Sequence, residues 1–237
     1  MSVAESYGDF VGKVDGVIIT ARHGDNHYKY AKPYIGSGIP MFIDKPITVG
    51  ENEAVAFMKE LKENGVRISG GSSCVHAAGV KQVRAAIASG EKGEILGGFV
   101  RAPLSMENAY GGFFFYVQHA VEVACSLFGY YPRSVRAYQN GKKYTFLWRY
   151  DSYDITVQAV DGNYRYAAAA SLDGGFVGGD FTLDGCFEAE FSAYYETLTG
   201  DRCADYNDFI APVFIMNAMY RALQSGKEEP VLRAERI

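Results

Sequence analysis

Three short stretches of the sequence carry residues able to do chemistry. The first is Asp44-Lys45-Pro46, which follows the apolar run Met41–Asp44. A lysine at the carboxyl end of a parallel strand points into the crevice where open α/β sheets bind ligands. An amine there hydrogen-bonds a hydroxyl or carbonyl oxygen, and its surroundings tune its pKa. On the tripeptide alone, a surface lysine ahead of a turn-forming proline is the simpler reading. The second stretch is Gly111–Gly129, where a glycine pair precedes a helix bearing His119, with Glu122 one turn later. A helix-borne imidazole can shuttle protons near neutral pH, and a core or capping histidine fits the same segment equally well. The third is Thr20–His27, in which His23 and His27 stand four apart. That spacing suits a metal on a helix, but Gly24, Asp25 and Asn26 make the first half a loop and no third ligand stands close by. No metal is expected, and the loop reads as part of a cofactor or substrate crevice. Gly70-Gly71 and Gly174-Gly175 belong to neither GxGxxG nor GxxxxGK(S/T) and read as turns. Cys74 has no cationic neighbour in the sequence and reads as a structural thiol.

These residues need elements to hold them. Val14–Thr20, Met41–Asp44 and Val66–Ser69 are short apolar runs expected as buried parallel strands. Between them, His27–Ile35 and Asn52–Asn64 are expected as helices, the second amphipathic and ending at Gly65. Strand, helix, strand, helix, strand is the pattern of a parallel α/β layer. After Gly70–Ser73 a helix is expected over Val75–Ser89, a strand over Ile95–Leu104 and a helix over Tyr116–Phe128. Alternating strands follow at Ser134–Gln139, Tyr144–Tyr150, Tyr153–Val160, Tyr164–Ser171 and Phe176–Leu183, with Asp161-Gly162 as a hairpin turn signal. A helix with Phe187, Phe191, Tyr194, Tyr195 and Leu198 on one face comes next. The closing helix is Ala211–Leu223, with Pro212 in its first turn. A domain boundary near Ser72 gives residues 1–72 as the α/β layer and 73–237 as an α+β unit with an open, predominantly antiparallel sheet.

The 237 residues include 23 Lys+Arg and 28 Asp+Glu, for a net charge of −5, with 48% hydrophobic residues. That is the composition of a soluble globular chain able to bury a real core. The mild acidity argues against nucleic acid as the main partner. The 4 Cys are scattered and form no CxxC, so the chain is expected in the reducing cytoplasm without a disulfide framework or zinc knuckle. No membrane span and no signal peptide are visible.

Taken in order, VDGVIIT, the loop histidine, MFIDKP, VRISGG, EKGEILGGFVRA, GG…QHAVEVACSLFG and a closing helix before GKEEPV resemble the Gfo/Idh/MocA oxidoreductases. The resemblance runs along essentially the whole chain. It implies a Rossmann NAD(P)-binding domain joined to an α+β domain, and oxidation or reduction of hydroxyl and carbonyl groups on sugars and polyols. Lys45 matches the catalytic lysine and His119 the proton donor or acceptor of that family. His27 matches a histidine of its cofactor crevice, and the implied cofactor-binding set is His23, His27, Asp44, Lys45 and Pro46. The resemblance also implies a homo-oligomer, here through the Tyr- and Phe-rich strands of Ser134–Leu183.

Two departures change what the resemblance implies. Many members carry an aspartate four residues before the catalytic histidine, and this chain has Phe115 there. The GxGxxG turn that seats the cofactor diphosphate is absent. The chain begins just before the fourth strand of the family's nucleotide domain, as an N-terminally truncated Rossmann layer lacking about two βα units, roughly 60 residues. The expected function is therefore an NAD(P)-dependent oxidoreductase of sugar- or polyol-type groups, impaired or inactive as this chain. The alternative is a non-catalytic binding or assembly module derived from that family.

Overall fold

The computed structural model describes residues 3–235 and 237. Strands β1 (Val17–Ile19), β2 (Met41–Asp44) and β3 (Ile68–Gly71) form a parallel sheet in the order β1-β2-β3. Helices α1 (Asp25–Ile35) and α2 (Glu51–Glu63) make the crossovers that parallel pairing requires. Successive side chains of a strand point to opposite faces. Met41 and Ile43 accordingly enter the core shared with Ala31, Ile35, Phe57 and Leu61. Phe42 faces the other way, onto Phe191 and Tyr194 of α5 (Cys186–Thr199), with ring centroids 5.6 and 5.7 Å away. This is a partial Rossmann layer, as the alternation of strands and helices in the sequence implies.

A 3-10 turn, Ser73–His76, stands where the sequence suggested the start of a helix. Ala77 adopts an extended conformation (ψ 141°), so α3 begins only at Ala78 and runs to Ser89. The second sheet contains β4 (Ile95–Leu104), β5 (Ser134–Asn140), β6 (Lys143–Arg149), β7 (Asp154–Asp161), β8 (Tyr166–Leu172), β9 (Gly175–Phe181) and β10 (Glu229–Pro230). Its order is β10-β5-β6-β7-β4-β8-β9, and β4–β7 is its one parallel pair among the described residues. The expected Asp161-Gly162 hairpin is therefore corrected. β4 sits between β7 and β8, and the turn binds the end of β4 instead. The Gly162 amide donates to Leu104 O (3.0 Å) and the Met106 amide to the Asp161 carboxylate (3.3 Å). The interior of β4 (Val100, Ala102, Leu104) is fully buried, which suits a central strand and not an edge.

Helix α4 (Phe113–Phe128) lies on this sheet and is apolar on nearly every side, the pattern of a helix enclosed by protein. Gly98 lets it approach closely, since a Cβ there would collide with the Phe128 ring. Helix α6 (Tyr206–Ser225) starts five residues before the expected position because Asp205 caps it, accepting from the amides of Asn207 (2.8 Å) and Asp208 (3.0 Å). Pro212 thus lies inside the helix and not in its first turn. Among the described residues, no helix is long and apolar enough to cross a membrane.

Candidate active site

The carboxyl ends of β2 and β3 meet the middle of α4, and this junction collects the two sequence-predicted catalytic residues. Lys45 leaves the end of β2 half-buried, followed by a cis peptide to Pro46. Its ammonium lies 4.1 Å from the centroid of the Phe115 ring and 5.4 Å from that of Tyr116. It also donates to the Phe115 carbonyl (3.5 Å). A cation over an aromatic face is stabilised by the ring quadrupole, so Phe115 holds Lys45 without the charge a carboxylate would bring. Burial lowers the Lys45 pKa from its ordinary value, and the Asp44 carboxylate opposes the shift.

His119 is buried on α4. Its Nδ1 lies 2.7 Å from Ser72 Oγ and 3.5 Å from Cys74 Sγ. Ser72 Oγ already receives the Cys74 amide (3.3 Å). Nδ1 is the acceptor within reach of the Ser72 hydroxyl proton among the described residues, and we assign that proton to it. The neutral ring then carries its proton on Nε2, which has no hydrogen-bond partner among the described residues. Burial and, second, the Lys45 charge push the His119 pKa down to about 3, so the ring is uncharged through the physiological range.

Ser72 is itself held by Glu122, whose carboxylate accepts the Ser72 amide (2.7 Å) and the Gln118 side-chain amide. Gly71 (φ +86°) makes room for this, because a Cβ there would strike the Glu122 carboxylate. Gly70 (φ +121°) lies against the Ile43 backbone with no space for a Cβ. These glycines, read from the sequence as turn residues, let a carboxylate and a strand end share one place. Burial raises Glu122 to about 7 against those hydrogen bonds. Behind it, a polar cavity of about 260 Å³ is lined by Ser69, Arg84, Glu122, Glu190 and Arg202. Glu190 is 4% exposed, one of its oxygens has no partner among the described residues, and burial raises its pKa to about 8. Burial likewise pushes the Cys74 thiol up to about 12, which suits packing and not nucleophilic attack.

The remaining predicted residues occupy different positions. His27 is fully buried, with Nδ1 3.2 Å from Ile47 O and Nε2 2.7 Å from Ala21 O. The neutral ring can donate to only one of these carbonyls and packs against the other, so it braces the segment after β1 against the loop after Pro46 from behind. Burial lowers its pKa. His23 is one-third exposed beside Gly111, 3.8 Å from the Asp25 carboxylate. Asp44 is part-buried, and burial raises its pKa. Among the described residues, no group of three or more His, Cys, Asp or Glu is arranged to hold a metal. Sequence reasoning missed Ser72, Arg22 and Tyr110, none of which has a motif. Arg22 donates to the Tyr110 hydroxyl (3.1 Å) and lies over its ring at 5.0 Å.

No protein-family model matches the sequence, and none of the curated proteins does. Solved structures match it closely in shape. Myo-inositol 2-dehydrogenase from Lactobacillus plantarum has a TM-score of 0.83 at 14% identity, covering 97% of this chain and 84% of the other. Myo-inositol dehydrogenase from Corynebacterium glutamicum gives 0.81 at 14%, covering 93% and 81%. WlbA dehydrogenase from Bordetella pertussis, solved with NADH and UDP-GlcNAcA, gives 0.76 at 17%, covering 97% and 83%. The fold is that of these dehydrogenases. At these identities the likeness is one of fold, and it agrees with the resemblance carried by the sequence motifs.

A dinucleotide would find only part of a seat on these residues. Lys45 and Pro46, following the carboxyl end of β2, would border a nicotinamide end. A diphosphate wants an open helix N-terminus, and α1 does not offer one. The chain's own Pro46–Thr48 segment fills that turn, with Pro46 O 2.9 Å from a Cβ placed on Gly24, and the Val49 amide donates to Asp25 Oδ1 (3.3 Å). No Gly-rich diphosphate turn exists elsewhere in the sequence.

Proposed function

We propose that this chain is an NAD(P)-linked oxidoreductase module acting on hydroxyl or carbonyl groups of a sugar- or polyol-type substrate. The carrying observation is the convergence of Lys45 and His119 at the carboxyl ends of the parallel strands, where open α/β sheets bind ligands. The nicotinamide, when bound, supplies the hydride acceptor or donor. The chain's residues hold the oxygen and move its proton. His119, neutral, gives its Nε2–H to the reacting oxygen, the role of an electrophile that does not itself ionise. Lys45, with its lowered pKa, takes the hydroxyl proton in oxidation and returns it in reduction. Pro46 and Asp44 would shape the wall beside a nicotinamide and His23 would border it, while His27, buried, would support that wall from behind. Phe115 leaves His119 without the carboxylate found in many members of the family, and the chain's own diphosphate seat is absent, so turnover by this chain is weak.

The second reading is a non-catalytic binding or assembly module, favoured by Phe115 and by the missing diphosphate seat. NADH fluorescence separates the two. Saturable enhancement that is lost in Lys45→Met, with NAD-linked oxidation of myo-inositol rising with pH to a plateau below the ordinary lysine range, supports the oxidoreductase. No binding and no turnover at any pH overturns it in favour of the module. The same proposal places the chain in the cytoplasm as a homo-oligomer through residues within Ser134–Leu183, with the seam between its two units near Ser72.

A further inference from the structure

We propose that the ring-bearing substrate of this site carries an anionic group, a carboxylate or a phosphate ester, which Arg22 reads. The inference rests on the Lys45–His119 site being a substrate site, but not on any cofactor. Arg22 lies in the loop between β1 and α1 and makes no ion pair among the described residues. Its guanidinium is anchored instead by the Tyr110 ring and hydroxyl, at 5.0 and 3.1 Å. From Tyr110 a continuous aromatic wall leads to the catalytic pair. Tyr110 and Phe115 have centroids 5.1 Å apart, Phe115 and Tyr116 5.1 Å, Tyr116 and His119 5.6 Å, and Tyr116 and Tyr164 5.7 Å.

Lys45 lies on the same wall, against Phe115. Two cations thus border one surface, and neither is within ion-pair distance of a carboxylate among the described residues. The field is set locally, since the chain as a whole is acidic. Flat aromatic faces accept the apolar face of a hydroxylated ring. The planar guanidinium, anchored by the Tyr110 ring and hydroxyl, keeps N–H groups free to meet carboxylate or phosphate oxygens. Here its charge and that of Lys45 add to attract an anion.

Isothermal titration and saturation-transfer NMR on the chain without nucleotide test this, with D-glucuronate, glucose 6-phosphate, D-glucose and inorganic phosphate as probes. The expected result is that glucuronate or glucose 6-phosphate binds about tenfold or more tighter than glucose. The advantage weakens as salt rises and disappears in Arg22→Gln, while the weak binding of glucose is unchanged. Circular dichroism on that variant checks that exchange of an exposed side chain leaves the fold intact. Three results overturn the inference: glucose binding as tightly as its charged counterparts, Arg22→Gln leaving the preference in place, or inorganic phosphate matching the sugar phosphate. Absence of binding by both charged sugars also overturns it. Failure of the oxidoreductase reading looks different. Charged sugars would then bind through Arg22 with no NAD-linked turnover of any of them.

Discussion

Removing the Ser72 hydroxyl isolates the contact that sets the protonation pattern of His119. The contact is short, 2.7 Å from Oγ to Nδ1, and fully enclosed. A buried imidazole nitrogen left without its partner costs about 2 kcal/mol. In a chain of this size that corresponds to a fall in Tm of about 4–8 °C. With Ser72 in place, the other neutral tautomer would donate Nδ1–H to Oγ and leave the serine hydroxyl proton unpartnered, a cost of about 1–2 kcal/mol, which is a factor of about 5–30 in population. The native ring is therefore held at more than about 80% Nε2–H, with Cys74 Sγ at 3.5 Å as a weaker second contact. Ser72→Ala should leave a mixture. Side-chain nitrogen shifts, read by long-range proton–nitrogen correlation, report the tautomer directly. His119→Gln identifies the signal among the 4 histidines, and Ser72→Thr, which keeps the hydroxyl, should restore the native pattern. No protonation of this ring is expected above about pH 4, because its pKa is held down at about 3. A native ring found with its proton on Nδ1, or a spectrum unchanged in Ser72→Ala, would refute the reasoning. So would a ring that titrates near neutrality.

Two further outcomes follow from the same neighbourhood. Gly71→Ala forces a left-handed backbone on a residue with a Cβ and drives that Cβ into the Glu122 carboxylate. It should cost about 2 kcal/mol, seen as a Tm lower by about 4–8 °C, and should also mix the His119 tautomers because Ser72 is displaced. Glu190 holds its proton up to about 8 when folded, against 4.5 in an exposed chain. The folded state therefore loses stability as pH rises through that interval, up to a limit of about 5 kcal/mol. Glu190→Gln cannot ionise, so its Tm advantage over the native chain should grow between about pH 5 and about pH 9. An advantage independent of pH would mean that the carboxyl is ionised in the fold.

Local patterns carried most of the elements. The short apolar runs became β1 to β3, and the all-apolar segment before Gly129 became α4. The misreadings fell where a distant partner decides the outcome. Asp161-Gly162 has the chemistry of a hairpin turn, and that chemistry is local. Whether its flanking strands pair depends on β4, some sixty positions earlier, occupying the slot between them. The start of α6 was legible in principle from Asp205, an acidic cap two residues before Asn207, but Pro212 gave a competing signal closer to the apolar run.

The candidate site follows the same division. Lys45 and His119 could be picked out because each sits in a recognisable stretch. The group that orients His119 could not, because it is supplied across the fold. The aspartate position on α4 is filled by Phe115, and the absence of a carboxylate there suggested an imidazole with nothing to orient it. In the folded chain two residues share that aspartate's work. The Phe115 ring and carbonyl hold Lys45, and Ser72, 47 positions before His119, contacts Nδ1. A serine differs from a carboxylate in one decisive respect. It steers a tautomer but supplies no negative charge, so nothing offsets the cost of charging a buried ring beside Lys45. The imidazole that a carboxylate would make a stronger base is kept neutral here, which is why the proposed mechanism gives the proton-carrying role to Lys45.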